Sequence, residues 1–150
     1  MDDLTDGRED PPFLTQLAVF LPNRLGALMS MTRCLETLGL SLRAVNIIDA
    51  VDHAVARLLV DRPRLATEAL QAEGYSVVQS DVLGVALPPN GVRQVLQALL
   101  LAELNVHYVY SLAAGSGSME VLALHVEDPE AAARVLSEKG IELIGQDDLE

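Results

Sequence analysis

Between a strand-like run and a run of helical period, the chain reads Leu21-Pro22-Asn23-Arg24-Leu25-Gly26-Ala27-Leu28, residue types that suit capture of a small anion. A helix start presents backbone N–H groups without partners and a partial positive charge, which favours a carboxylate. Gly26 has no side chain to hold such a group away, Asn23 is of the type that caps a helix, and Arg24 adds positive charge. The competing reading is architectural: Asn23 caps, Gly26 lets the helix approach the sheet, and Arg24 is solvated.

The histidines are the next candidates. His107 and His125 lie on two strand-like runs joined by a turn at residues 113–118, and pairing symmetric about residue 116 sets them opposite each other. There they share a face and could bind a metal or titrate as a pair. Only two ligands are visible and no Cys or carboxylate is placed to complete them, so no metal is expected. His53 reads as solvated in a turn, and Asp49 and Asp52 as solvated hairpin ends. Cys34, the single cysteine, falls mid-helix among apolar neighbours and reads as a small buried thiol, not a nucleophile. No Ser-His-Asp, Cys-His, P-loop or dinucleotide signature is present, so no catalytic residue and no cofactor are expected.

These groups must be positioned by regular elements, and the hydrophobic pattern supplies them twice. Residues 13–21 carry Leu17, Val19 and Leu21 at period two. Leu28, Met31, Leu35 and Leu38 then recur at helical spacing, with Gly39 as terminator. Residues 42–50 and 54–61 read as a hairpin broken near Asp52. Residues 63–73 form a second helix with Pro63 in its first turn, Leu65, Ala66, Ala69 and Leu70 inward and Gly74 after its end, and residues 75–81 close the unit. The second half repeats this order: Pro63, Leu70 and Gly74 fall on Pro129, Leu136 and Gly140 at a shift of 66, while Leu28 and Leu35 fall on Val92 and Leu99 at a shift of 64. The loop before the helix is therefore two residues shorter in the second half, and the central hairpin two longer.

A β-α-β-β-α-β unit of about 65 residues closes as an antiparallel sheet with both helices on one face, the split-βαβ plan. The expected fold class is α+β, two tandem ferredoxin-like repeats, with an acidic disordered tail at residues 1–12, a first domain at 13–81 and a second at 82–150. Each unit is thin, so the halves should pack as one body and two chains should associate to cover sheet edges.

Composition narrows the partners. Half the residues are apolar and only 3% aromatic, an aliphatic globular chain. A net charge of −12 with a single lysine, Lys139, argues against nucleic-acid and anionic-lipid surfaces. No apolar run reaches the roughly 18 residues of a membrane span, and residues 1–10 do not read as a secretory signal, so the expected location is cytoplasmic.

Asn23-Arg24-Leu25-Gly26-Ala27-Leu28, after a strand and opening a helix, resembles the ACT domain, and the chain from Leu14 to Leu149 is similar to stand-alone tandem ACT proteins. Asp81-Val82-Leu83-Gly84-Val85 at the junction and Tyr108-Val109-Tyr110-Ser111 extend the likeness. The resemblance implies a non-catalytic regulatory module that senses a small free amino acid, assembles as a homodimer and regulates a biosynthetic enzyme. It assigns the ligand to Asn23, Arg24, Leu25, Gly26, Ala27 and Leu28, and to Asn46, Ile47 and Ile48 on the second strand of a neighbouring domain. Core packing is the alternative for Ile47 and Ile48. The second loop, Pro88-Pro89-Asn90-Gly91-Val92, departs from the pattern, with Asn90 where the glycine belongs, so Gly91→Ala should leave fold and binding intact. The rival functions are a dimerisation module without ligand and a small enzyme using His107 and His125.

Overall fold

Alternation of apolar and more polar residues makes β1 (Leu14–Pro22) a strand that buries Leu17, Val19 and Leu21 on one face. It belongs to a computed structural model that describes residues 12–22, 25–49, 52–89, 91–113 and 120–149. Of the tail at residues 1–12, all but Pro12 lie outside the described residues.

Helix α1 (Ala27–Thr37) buries Ala27, Met31 and Leu35, a stripe with a spacing of four. Leu28 and Leu38, expected inward, are 44% and 39% exposed. One residue along a helix turns the side chain by about 100°, so a stripe through Ala27 and Met31 directs Leu28 outward. The edge strand β2 (Leu42–Asp49) pairs with β3 (His53–Val60), which pairs with β1. Helix α2 (Pro63–Ala72) starts on its proline and buries Ala66 and Leu70, whereas Leu65, expected inward, is exposed.

The second unit contributes α3 (Gly91–Leu101), β5 (Val106–Leu112), β6 (Val121–Val126), α4 (Pro129–Glu138), β7 (Glu142–Ile144) and a short 3-10 helix, Gln146–Leu149. Between the units runs one long strand, β4 (Ser76–Ala86). Its first part, through Val82, pairs with β1; its last four residues, Leu83 to Ala86, pair with β6 and partly with β7. A closing strand and a separate opening strand were expected here, but no Gly or Pro interrupts residues 75–83, so the chain stays extended. The boundary drawn after Asp81 thus falls inside β4.

The strand order is β2-β3-β1-β4-β6-β5 with β7 also on β4. Each unit is therefore an antiparallel split-βαβ sheet, the two fused through a shared strand. Leu17, Leu58, Met31, Leu35 and Leu70 centre the first core; Leu83, Leu99, Leu124 and Leu136 centre the second. A third cluster, Leu14, Ala44, Leu59, Val82, Ala123 and Leu149, lies between the helix-free faces, so the fused sheet is folded back on itself. The C-terminal segment fastens this arrangement: Gln146 Nε2 donates to the Val60 carbonyl at 2.9 Å and Thr15 N–H donates to Gln146 Oε1 at 3.0 Å.

Gly91 is not the indifferent position expected. A Cβ there would stand 2.6 Å from Pro88 Cδ, so Gly91→Ala must displace a proline ring that cannot swing aside.

Candidate functional site

The start of α1 is the first candidate. Asn23 and Arg24 lie outside the described residues, and with them the expected cap and charge. The residue in the N-cap position is Gly26, at φ 85°, with no side-chain hydrogen bond to the helix and no acidic residue in the first turn. Its carbonyl accepts from Ser30 N–H at 2.9 Å, so the helix is wound from its first turn, while among the described residues no side chain caps its leading N–H groups. Leu25, Gly26 and Leu28 are exposed and Ala27 is buried. A Cβ on Gly26 would meet nothing within 4 Å. Close approach of helix to sheet is therefore not the reason for glycine here; the left-handed backbone is, since a residue with a Cβ is strained at that φ. By contrast, α4 carries its own acceptor, with Ala131 N–H donating to Asp128 Oδ1 at 3.1 Å.

Asn46, Ile47 and Ile48 lie on edge strand β2, where Ile47 and Ile48 are 40% and 39% exposed, so neither is a core residue. Strand β3 separates them from β1, which places them two strand spacings, roughly 10 Å, across the sheet. Strand β3 thus stands between these residues and the strand that leads into α1.

Sequence reasoning missed a groove beside the helix start, because its walls come from segments far apart in the chain. A concavity of about 350 Å³ lined by Phe20, Pro22, Ser30, Cys34, Glu73, Gly74 and Tyr75 adjoins another of about 410 Å³ between α1 and α2 that includes Arg33 and Thr37. Cys34 lines both and is only partly buried, a correction to the buried thiol expected. Desolvation, with the Glu73 carboxylate adding to it, raises its pKa, so it is held as the thiol and not as a nucleophilic thiolate.

The seam between the sheets holds the polar network. Gln16 is 2% exposed, the one polar side chain fully buried among the described residues. Its Nε2 donates to Tyr108 Oη at 2.7 Å and to Ser80 Oγ at 3.3 Å, and Tyr110 Oη donates to Gln16 Oε1 at 2.6 Å. The Arg57 guanidinium covers the Tyr108 ring, with Cζ 3.5 Å from the ring centroid. Burial raises the Tyr110 phenol well above its usual pKa; Tyr108 adds to the shift and Arg57 opposes it.

The histidine pair is reached by a different register. Tyr108, not His107, stands opposite His125, and a bulge between Val106 and Tyr108 takes up His107. The bulge still brings the rings to 5.3 Å between centroids, while Tyr108 stacks on His125 at 4.6 Å. Among the described residues no group of three or more His, Cys, Asp or Glu is placed to hold a metal ion.

Burial, then His107 and Arg57, lower the His125 pKa. A folded-state pKa below the unfolded value gives stability that is complete above the unfolded pKa, near 6.5, and is lost as pH falls below it, because the unfolded chain takes the proton first. The melting temperature should therefore decline between pH 7.5 and 5.5, and His125→Gln should flatten that part of the curve in calorimetric scans.

Two βαββαβ units fused through one strand, with an open helix start on the first, define an α+β tandem split-βαβ protein. The chain belongs to the ACT domain pair family, whose profile matches residues 13–150. It is similar to protein BT0572 from Bacteroides thetaiotaomicron, with 26% identity and a TM-score of 0.84 over 94% of this chain and 98% of that one. The ligand-free regulatory subunit of aspartate kinase from Thermus thermophilus shares the fold at 16% identity and a TM-score of 0.59, covering 87% and 95% of the two chains. Its counterpart from Thermus flavus does so at 16% and 0.56, covering 85% and 92%. No curated protein matches the sequence. Among the described residues no helix is long and apolar enough to cross a membrane.

Proposed function

We propose that this ACT domain pair is a non-catalytic regulatory module that binds a free amino acid at the start of α1 in the first unit. The observation that carries this reading is the helix start itself: exposed, opened by Gly26 at positive φ and, among the described residues, without a side-chain cap or an acid in its first turn. Asn23 and Arg24 add polar and charged contacts, Leu25 to Leu28 supply the backbone, and the adjoining groove takes the effector's side chain. Asn46, Ile47 and Ile48 complete the site from the β2 edge of a second copy, since within one chain β3 stands between. The working form is accordingly a homodimer, built from units at residues 13–81 and 82–150, located in the cytoplasm and acting on a biosynthetic enzyme.

A thermal-shift screen of the common amino acids tests this. An effector at about 100 times its Kd stabilises by about 2.7 kcal/mol, a rise of roughly 5–10 °C in a chain of this length. Calorimetry should then show binding at least about tenfold weaker in Gly26→Asn, which tolerates positive φ yet puts a side chain over the N–H groups. His107→Ala with His125→Ala should leave that affinity unchanged, and sedimentation should show a dimer at micromolar concentration. A stable dimer that binds no amino acid would instead establish the dimerisation module, and wild-type affinity in Gly26→Asn would remove the site from α1.

A further inference from the structure

In a chain of net charge −12, one surface gathers an arginine and two histidines with no carboxylate on the strands that carry them. Arg57 on β3 and its cross-strand partner Asn46 on β2 lie on the helix-free face of the first sheet. Facing them are Tyr108 and His125 of the second sheet, with His107 in the bulge alongside. No Asp or Glu occurs in β1, β3, β5 or β6, and Asp49 and Asp81 pair with Ala54 and Thr15 on the helix-facing rows. The Arg57 guanidinium makes no ion pair and no hydrogen bond among the described residues; it lies on one face of the Tyr108 ring, with His125 stacked on the other, so a shared ligand must reach both around the edge of that ring. His125 Nδ1 is buried and, among the described residues, has no hydrogen-bond partner. Buried polar atoms are almost always satisfied, so this one marks a place where a partner belongs. Beneath them the floor is fixed, because Gln16 already engages both tyrosine hydroxyls. Above it, Arg57, Asn46, Tyr108 and His125 are partly exposed and His107 is exposed, so a solute can reach the cluster.

We propose that Arg57, His107 and His125 form a second ligand site, separate from the α1 start, that binds a small oxyanion between the two sheets. The chemistry follows from the donors: a guanidinium fork pairs with two oxygens of one anion, and imidazole N–H groups add charge-assisted hydrogen bonds. Because Arg57 belongs to the first unit and both histidines to the second, the anion ties the units across their seam. Its binding favours the protonated imidazoles, so affinity must rise as pH falls through the histidine range. The Tyr110 phenol, its pKa raised by burial, stays neutral throughout that range.

The test is a titration of the histidine ring C–H signals by NMR with sodium sulfate, against sodium chloride at matched ionic strength, at pH 5.5 and 7.5. The expected result is a saturable shift of His107 and His125 with sulfate only, several-fold tighter at pH 5.5, and about tenfold weaker in Arg57→Gln. His107→Gln, at an exposed position, gives the same direction of change without touching the packed seam. Succinate run in parallel separates the sources: tighter succinate assigns a carboxylate ligand, tighter sulfate a phosphate-like one, and either supports the site. Equal shifts with chloride, or sulfate affinity unchanged in both variants, would overturn it.

Discussion

Gln16→Leu should destabilise the protein by roughly 2–4 kcal/mol, although leucine is close in size and suits a core. Gln16 is the single amide that satisfies Tyr108 and Tyr110 at 2.7 and 2.6 Å, and it holds Ser80 as well. Leucine takes the amide partner from two phenolic hydroxyls in a partly buried seam, at about 1–2 kcal/mol each. The loss falls on the contact between units, because Gln16 is on β1 and both tyrosines are on β5. Urea unfolding should show a lower midpoint with an unchanged slope, the mark of altered stability at constant exposed surface. A midpoint equal to wild type would mean that water serves the hydroxyls equally well and that the network is incidental.

Gly84→Val should cost more, about 3 kcal/mol or above. A Cβ at this position would lie 2.8 Å from Leu14 Cδ1 and 2.9 Å from the carbonyl oxygen of Ile144. Leu14 can change rotamer, but Ile144 O belongs to the backbone of β7, which pairs with β4 at this residue. The clash must open the place where β1, β4 and β7 meet, and overpacking of that kind is among the few single changes with large effects. The melting temperature should fall by roughly 6–12 °C. Hydrogen exchange should speed up in both β1 and β7. A melting temperature within a degree or two of wild type would show that the junction is looser than its geometry implies.

The junction also shows how far the sequence could be read. Element order, the Pro starts of α2 and α4 and the repeat itself were legible, because each is a local rule of spacing and punctuation. The buried stripe of α1 was read correctly at Met31 and Leu35 but started on Leu28 in place of Ala27, since Ala27 is small and gives little hydrophobic signal, while Leu28 gives much and is exposed. His107 and His125 were recognised as neighbours, yet a bulge changed the register, and no feature of residues 106–108 announces a bulge. At the α1 start the sequence picked out Gly26, but packing against the sheet is not what requires glycine there; the backbone angle is.

By itself the sequence determined two split-βαβ units and their aliphatic cores, both consequences of periodicity and turn chemistry acting over a few residues. The tertiary structure decided the features that depend on contacts between distant parts of the chain. It made β4 one strand shared by both units, closed Gln16 onto two tyrosines, and set Arg57 over Tyr108 beside two histidines. Those pairings have no local signature, because a buried glutamine or a stacked arginine is specified only by the partner that the folded chain brings to it.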